Sequence, residues 1–314
     1  MPGMAEPRVE RVSVIVPTRD RTALLQESLA SIRRLEGPDL HLEIIVCDNG
    51  SDSETPRVAE QFHARYLRSE RAGMSIARNV AMQAATGDYL AFLDDDDVWL
   101  PTHLRPHLRL LAQQPELIGV VGQIINTNLD LQSMGDPWPV DAPRNGELFD
   151  ALLEYMPQLG ATVVRASARQ IIGYFDESLA GDEDWDWHLR LAAAGRVGFV
   201  QIPCMLFRQR PPGDADDMQH QRMPFTRKVF LRNVRRGRRR PQDRVRLLRV
   251  YLRHAGCWCG HFLTSATAHV QRNEWSAARR ALLWAVEASP AHALWAVVHD
   301  ARMRRTVLMA IGHH

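Results

Sequence analysis

The stretch Tyr89–Pro101, YLAFLDDDDVWLP, decides the fold. An apolar run with the character of a buried strand empties into four successive carboxylates, although like charges side by side repel and resist burial. A divalent cation would remove that conflict. Taken alone, the run also reads as a solvated turn or a helix cap, because Asp stabilises a helix start and Pro101 suits a first turn. The neighbouring segments separate the two readings.

Upstream, VSVIV (12–16) is a β-branched run ended by Pro17, and Thr22 to Arg34 carries helical apolar spacing at Leu24, Leu25, Leu29 and Ile32. The unit recurs. LEIIVC (42–47) precedes DNGSDSETP and a helical segment, and Tyr66-Leu67 lies in a weaker strand before a helix near 75–85. YLAFLD (89–94) follows, then a helix after Pro101. Continuous rather than alternating apolar strands predict an α/β domain with a central, mostly parallel sheet covered by helices on both faces. Ligands in such folds collect beyond the carboxyl ends of the strands. The segments 18–21, 48–51 and 94–97 are therefore expected to converge on one crevice, with the acidic run at its rim.

Downstream of IGVVGQII (118–125) the periodicity fades through a long connection at 126–146, rich in Pro, Gly, Asn and Asp. A strand at ATVVR (161–165), a short helix after Ala166 and the segment GYFDESLAGDEDWDWHLRLAAAG (173–195) follow. In the last, Trp187, Leu191 and Ala194 share a helical face. RVGFVQIP and CMLFRQ read as two further strands, and from about Pro224 the chain reads as helical. The expected organisation is a flexible N-terminus at 1–10, an α/β domain at 11–223 and a basic helical region at 224–314.

Composition fits an ordinary globular protein with a sizeable core, at 45% hydrophobic and 24% charged residues. The net charge of +2 conceals an asymmetry: residues 225–314 hold 18 Lys+Arg against 4 Asp+Glu, and residues 1–224 hold 21 against 33. The start, MPGMAEPRVERVS, lacks an apolar signal segment, and no apolar run reaches bilayer-spanning length. A cytoplasmic location is expected, with the inner face of the membrane as a peripheral option. Four cysteines do not make a disulfide framework.

Four ordered motifs, VSVIVPTRDR, CDNGSDS, GMSIARNVAMQAATGDYLAFLDDDD and GYFDESLAGDEDWDWHLRLAAAG, resemble those of family 2 glycosyltransferases over about residues 11–210. The resemblance implies a GT-A-type (Rossmann-like) domain and an inverting enzyme using a nucleotide-diphosphate sugar, of UDP or dTDP type, with Mg²⁺ or Mn²⁺. The other partner it implies is a hydroxyl-bearing acceptor: a glycan, a lipid-linked molecule or a small molecule. By the same resemblance Pro17 and Thr18 shape the nucleotide pocket, Asp48 bonds the nucleobase and Arg78 faces the pyrophosphate. Asp94 and Asp95 contact ribose or donor sugar, and Asp96, with Asp94, holds the metal. Glu183-Asp184 matches the acidic pair whose Asp is the catalytic base, so Asp184 takes that role and Glu183 supports it.

Without the resemblance, Asp48-Asn49-Gly50 is good turn chemistry, Arg78 pairs with surface carboxylates, and the acids at 182–186 suit a helix start. A nucleotidyltransferase and a non-catalytic nucleotide-sugar-binding or scaffold protein are the competing functions. Arg210 stands where many relatives have a histidine that approaches the metal or diphosphate; Arg210 itself or His220 could replace it. In the tail, His254, Cys257, Cys259 and His261 offer zinc ligands or plain helix packing. RRGRRR (235–240) is either a solvated charge run or a contact for an anionic membrane; nucleic acid is not expected.

Overall fold

Strands form where β-branched and aliphatic residues run together, and helices where apolar residues return every three to four positions. The computed structural model describes residues 9–141, 143, 148–236 and 243–312. Residues 1–8 of the expected N-terminal segment, 142 and 144–147 of the connection, and 237–240 of the Arg-rich run lie outside them. The chain divides into two compact units, Met1–Leu179 with Glu183–Gln209, and Ala180–Asp182 with Arg210–His314.

In the first unit the order is β1 (Glu10–Thr18), α1 (Thr22–Arg33), β2 (Leu40–Asp48), α2 (Thr55–Gln61), β3 (Arg65–Arg68), α3 (Met74–Ala84), β4 (Tyr89–Phe92) and β5 (Val98–Trp99). Then come α4 (Leu104–Gln113), β6 (Leu117–Thr127), α5 (Leu148–Glu154), β7 (Thr162–Arg165), α6 (Ala168–Ile172), α7 (Glu183–Ala194) and β8 (Arg196–Arg208). The eight strands form one sheet in the order β3-β2-β1-β4-β7-β6-β8-β5. Pairs β3-β2, β2-β1, β1-β4 and β6-β8 are parallel, whereas β7 and β5 run against their neighbours. The sheet is thus mixed.

Register positions the crevice. Thr18 lies level with Asp48 across β1 and β2, and Ile15 with Phe92 across β1 and β4, so the acids after β4 emerge beside the end of β1. The core beneath is aliphatic: Val12, Val14 and Val16 of β1 and Leu25, Leu29 and Ile32 of α1 are fully buried. Burial at about 25 cal/mol per Å² of apolar surface is what holds such layers together.

Three expectations need correction. The segments RVGFVQIP and CMLFRQ are one strand, β8, whose pairing with β6 slips near Gly122 and Gln123 and opposite Pro203. Pro cannot donate to the ladder, and a local irregularity absorbs it without ending the strand. The two-residue β5 was not anticipated. Ala194 is exposed and does not share the buried face of Trp187 and Leu191.

The second unit is helical: α8 (Asp216–Val234), α9 (Asp243–Gln271), α10 (Trp275–Ala288), α11 (Pro290–His299) and α12 (Ala301–Gly312). Pro224 stands inside α8 and removes one N–H from its ladder without ending it. The core of this unit gathers Cys259, Phe262, Leu263, Ala285, Ala293 and Met303. Among the described residues no single helix is long and apolar enough to cross a membrane.

Candidate active site

The four aspartates follow β4 in an alternating pattern. Asp95 and Asp97 are buried, and Asp94 and Asp96 are half-buried. A turn produces this, closed by the Asp97 N–H donating to the Asp94 carbonyl at 3.2 Å. Asp95 points toward β1, accepting from Thr18 Oγ1 at 2.7 Å, from the Arg19 N–H at 3.4 Å and from Arg21 at 3.3 Å. Asp97 accepts the Arg208 N–H at 2.9 Å at the end of β8. Burial raises the Asp95 pKa to about 6 against the opposing pull of Thr18 and Arg21. Burial, then the charges of Asp94 and Asp96, raise that of Asp97 well above the usual carboxylate range. The inward acids thus fix the loop, and the outward pair, Asp94 and Asp96, keeps part of its surface open.

Arg78 links this run to α7. Its Nη2 donates to Asp94 Oδ1 at 2.7 Å and its Nη1 to Glu183 Oε1 at 2.8 Å, while the guanidinium lies 5.5 Å from the centre of the Phe175 ring. The side chain is buried within α3, and burial alone would disfavour its charge. Asp94, Glu183 and Asp184 overcome that penalty and hold its pKa above the ordinary arginine value. One planar fork therefore brings the acidic run and the Glu183-Asp184 pair, about ninety residues apart in sequence, into a single constellation.

Aromatic packing fixes α7 against the sheet end. Trp187 stacks on Phe175 at 5.3 Å and meets Phe92 edge-on at 5.4 Å, and Trp185 Nε1 donates to the Leu152 carbonyl at 2.6 Å. Asp184 itself is half-buried, with Oδ1 accepting the Trp185 N–H at 2.8 Å. One turn on, His188 is buried with Nδ1 at the Asp184 carbonyl and Nε2 at Thr162 Oγ1, both 2.8 Å. Burial lowers its pKa to about 4.

On the other flank, Pro17 and Thr18 end β1 and are buried. Asp48 is fully buried at the end of β2, accepting the Gly50 N–H at 2.7 Å, the Tyr66 hydroxyl at 3.0 Å and Arg68 at 3.3 Å. Asp20, at φ 54°, ties the two strand-end loops by accepting the Ser51 N–H at 2.6 Å and the Asp52 N–H at 3.0 Å. Asp52 accepts from the Thr22 hydroxyl.

Two arginines in the constellation had no assigned role. Arg21 Nη1 lies 2.7 Å from Asp96 Oδ2, and Arg208 donates to the Asp96 carbonyl at 2.6 Å and pairs with Glu27. Both stand at strand ends, Arg21 in PTRDR and Arg208 in FRQR, and that position was the available signal. Asp94 and Asp96, half-buried and each paired with an arginine, present hard oxygen donors of the kind that suits Mg²⁺ or Mn²⁺. The proposed tail ligands His254, Cys257, Cys259 and His261 form no metal-sized group among the described residues. A group that does, His103, His107 and Cys204, is buried in the first unit, where His103 stacks on Trp99 at 4.1 Å and burial lowers the His107 pKa to about 4.

Comparison with known proteins agrees with this geometry. Residues 13–168 match the family model described as glycosyl transferase family 2, a span that covers β1 to β7 and ends before α7. An uncharacterized glycosyltransferase, YwdF, of Bacillus subtilis is 25% identical over 231 residues, covering 70% of this chain and 81% of that protein. The putative teichuronic acid biosynthesis glycosyltransferase TuaG, of the same organism, is 32% identical over 110 residues, covering 33% of this chain and 42% of TuaG. Among solved structures, TarS 1–349 of S. aureus in complex with UDP-GlcNAc aligns with a TM-score of 0.61 at 18% identity over 96% of this chain and 88% of that one. The mannosyltransferase PcManGT of Pyrobaculum calidifontis, in complex with GDP-Man and Mn²⁺, aligns with a TM-score of 0.58 at 19% identity over 99% of this chain and 88% of that one. These structures carry the fold: a GT-A-type mixed sheet flanked by helices, with a helical C-terminal region. The strand-end acids, the ordered motifs and the matched residues lead to one assignment, that this chain belongs to glycosyl transferase family 2.

Proposed function

We propose that the chain transfers a sugar from a nucleotide-diphosphate sugar, of UDP or dTDP type, to a hydroxyl acceptor by metal-assisted single displacement with inversion. The observation that carries this reading is the Arg78 bridge, which gathers Asp94 and Glu183 at 2.7 and 2.8 Å around one guanidinium. A donor side and an acceptor side thereby share one small region.

In this reading Asp48 meets the nucleobase, Pro17 and Thr18 shape the floor of the nucleotide pocket, and Asp94 and Asp95 meet ribose or sugar. Arg78 serves the pyrophosphate side while keeping Asp94 in place. Asp96, with Asp94, would hold Mg²⁺ or Mn²⁺, which when bound supplies neutralisation of the charge that develops on a departing diphosphate. Arg21, now on Asp96, must yield that carboxylate to the cation. Asp184 removes the proton from the acceptor hydroxyl as its oxygen attacks the anomeric carbon opposite the leaving group, a service worth about 10²–10⁴-fold in rate. Glu183, pinned by Arg78, keeps the start of α7 in register with the acidic run. A peripheral contact between the basic C-terminal region and an anionic membrane belongs to the same proposal.

The test is a donor panel with Mg²⁺ or Mn²⁺, reading nucleoside diphosphate release, with NMR of the product's anomeric proton. Asp96→Asn is expected to weaken metal-dependent donor binding, and Asp184→Asn to spare donor binding while stopping transfer. A product that retains the donor's configuration would refute the displacement, and release of inorganic pyrophosphate would point to a nucleotidyltransferase.

A further inference from the structure

The last three helices of the second unit fill much of their buried side with small residues and leave several large apolar ones exposed. α10 turns Ala278, Ala281 and Ala285 inward and leaves Leu283 and Val286 exposed. α11 contributes Ala293 to the core, and its Leu294, Trp295 and Val298 are each more than half exposed. α12 buries Met303, Thr306 and Ala310, while Leu308, Met309 and Ile311 are at least half exposed. An amphipathic helix of a self-contained unit has the opposite polarity, with its bulky apolar residues against the core. A run of exposed large side chains on successive, contacting helices marks a surface that another apolar phase covers.

The charges around this surface identify that phase. α11 contains no Asp, Glu, Lys or Arg, and α12 carries Arg302, Arg304 and Arg305, all exposed. Arg305 stands one turn before Leu308 and Met309, whereas Arg304 Nη1 donates to the Val297 and Val298 carbonyls at the end of α11. The acids on α10 to α12 are already engaged: Glu287 lies 2.9 Å from His220 Nε2, and Asp300 caps α12 through the Arg302 N–H at 2.8 Å. A second copy meeting this face across a two-fold axis would set the same arginines against one another. An anionic lipid surface instead matches both features, taking the leucines and the amphipathic Trp295 into its interfacial zone and the arginines at its headgroups. α10 and α11 meet at a bend of 120°, and neither helix is long enough to cross a bilayer alone.

We propose that α11 and α12 form a membrane-docking face for an anionic bilayer, with Leu294, Trp295, Val298, Leu308, Met309 and Ile311 as the inserted residues. It rests on the membrane contact proposed above and adds to its electrostatic attraction an apolar anchor on these two helices.

The experiment is flotation of the full chain with vesicles of three parts phosphatidylcholine to one part phosphatidylglycerol, and with pure phosphatidylcholine vesicles, at low salt. Wild-type protein is expected to float with the anionic vesicles and to bind phosphatidylcholine at least tenfold less. The triple variant Trp295→Ser/Leu308→Ser/Ile311→Ser is expected to lose binding more than tenfold, and Arg302→Gln/Arg305→Gln to lose the preference for anionic lipid. All five positions are exposed, and circular dichroism together with nucleoside diphosphate release to a water-soluble acceptor checks that the fold and the first unit are intact. Failure of wild-type protein to float would overturn the membrane contact itself. Flotation that the triple variant retains would overturn only the assignment of the face. Self-association in sedimentation equilibrium that the triple variant abolishes, without vesicle binding, would hand the face to a second copy. None of these results bears on the transfer reaction.

Discussion

Arg78 is the residue on which the constellation turns. Its two ion pairs and its place over Phe175 are buried, so replacing it leaves Asp94 and Glu183 facing each other without a countercharge. Arg78→Met is expected to destabilise the fold by about 3 kcal/mol, read from urea unfolding. Arg78→Lys should recover only part of this, because an ammonium cannot fork to both acids. Asp95 offers a second test with a definite sign. Its pKa of about 6 in the fold lies above its ordinary value, so its contribution to stability is full below about pH 4 and is lost as pH rises through 6. Asp95→Asn is therefore expected to stabilise metal-free protein at pH 7 and to give no advantage at pH 4, in melting curves taken with chelator. The family resemblance gave roles to Asp94, Asp95 and Asp96, with Asp94 and Asp96 as metal ligands, and left Asp97 as a possible ligand only. It did not separate ligand-like from loop-fixing acids, because that depends on which strand end each carboxylate meets. Arg21 and Arg208 escaped for the same reason: an arginine after a strand has no signature until its partner is known.

At the level of elements, the apolar runs identified most strands and helices, yet strand direction was hidden. ATVVR is equally good in either orientation, and the antiparallel pairing of β7 with β4 and β6 follows from the chain's return path through 126–161. The two-residue β5 was too short for any period to register. The loops after β1 and β2 close on each other at Gly50, where an added Cβ would stand 2.6 Å from Asp20 Oδ1 and 2.7 Å from its backbone nitrogen. Gly50→Ala is thus expected to cost about 1–3 kcal/mol in denaturant unfolding, since the backbone must shift. Because the same loop carries Asp48 at its start, the variant should also weaken nucleotide binding in calorimetry.

For the whole molecule, the sequence reads as helical from about Pro224, and α9 to α12 lie in that region. The outward placement of bulky residues on α10 to α12 was not legible, since the spacing of apolar residues alone does not say which side the core takes. Three buried imidazoles, His103, His107 and His188, tune acid stability. Each is held below its ordinary value by burial, His107 and His188 at about 4, so these two contribute stability above about pH 6.5 that is lost as pH falls toward 4, and His103 acts in the same direction. Each is worth up to about 1.4 kcal/mol per pH unit within that window. His188→Gln should flatten the acid limb of the melting profile by one such step, while Asp95→Asn removes a contribution of opposite sign.

The alternation of inward and outward carboxylates after β4 has a consequence for the gene. Both codons for aspartate begin with the same two bases, so four in a row form a near-repeat of the kind that polymerases lengthen or shorten by slippage. Loss of one triplet would still spell an acidic motif on paper, but with β4 and β5 each fixed to its neighbour in the sheet, the turn between Asp94 and Asp97 would be one residue short and the inward and outward carboxylates could not all keep their places. Selection on this locus should therefore read the length of the run as strictly as its letters.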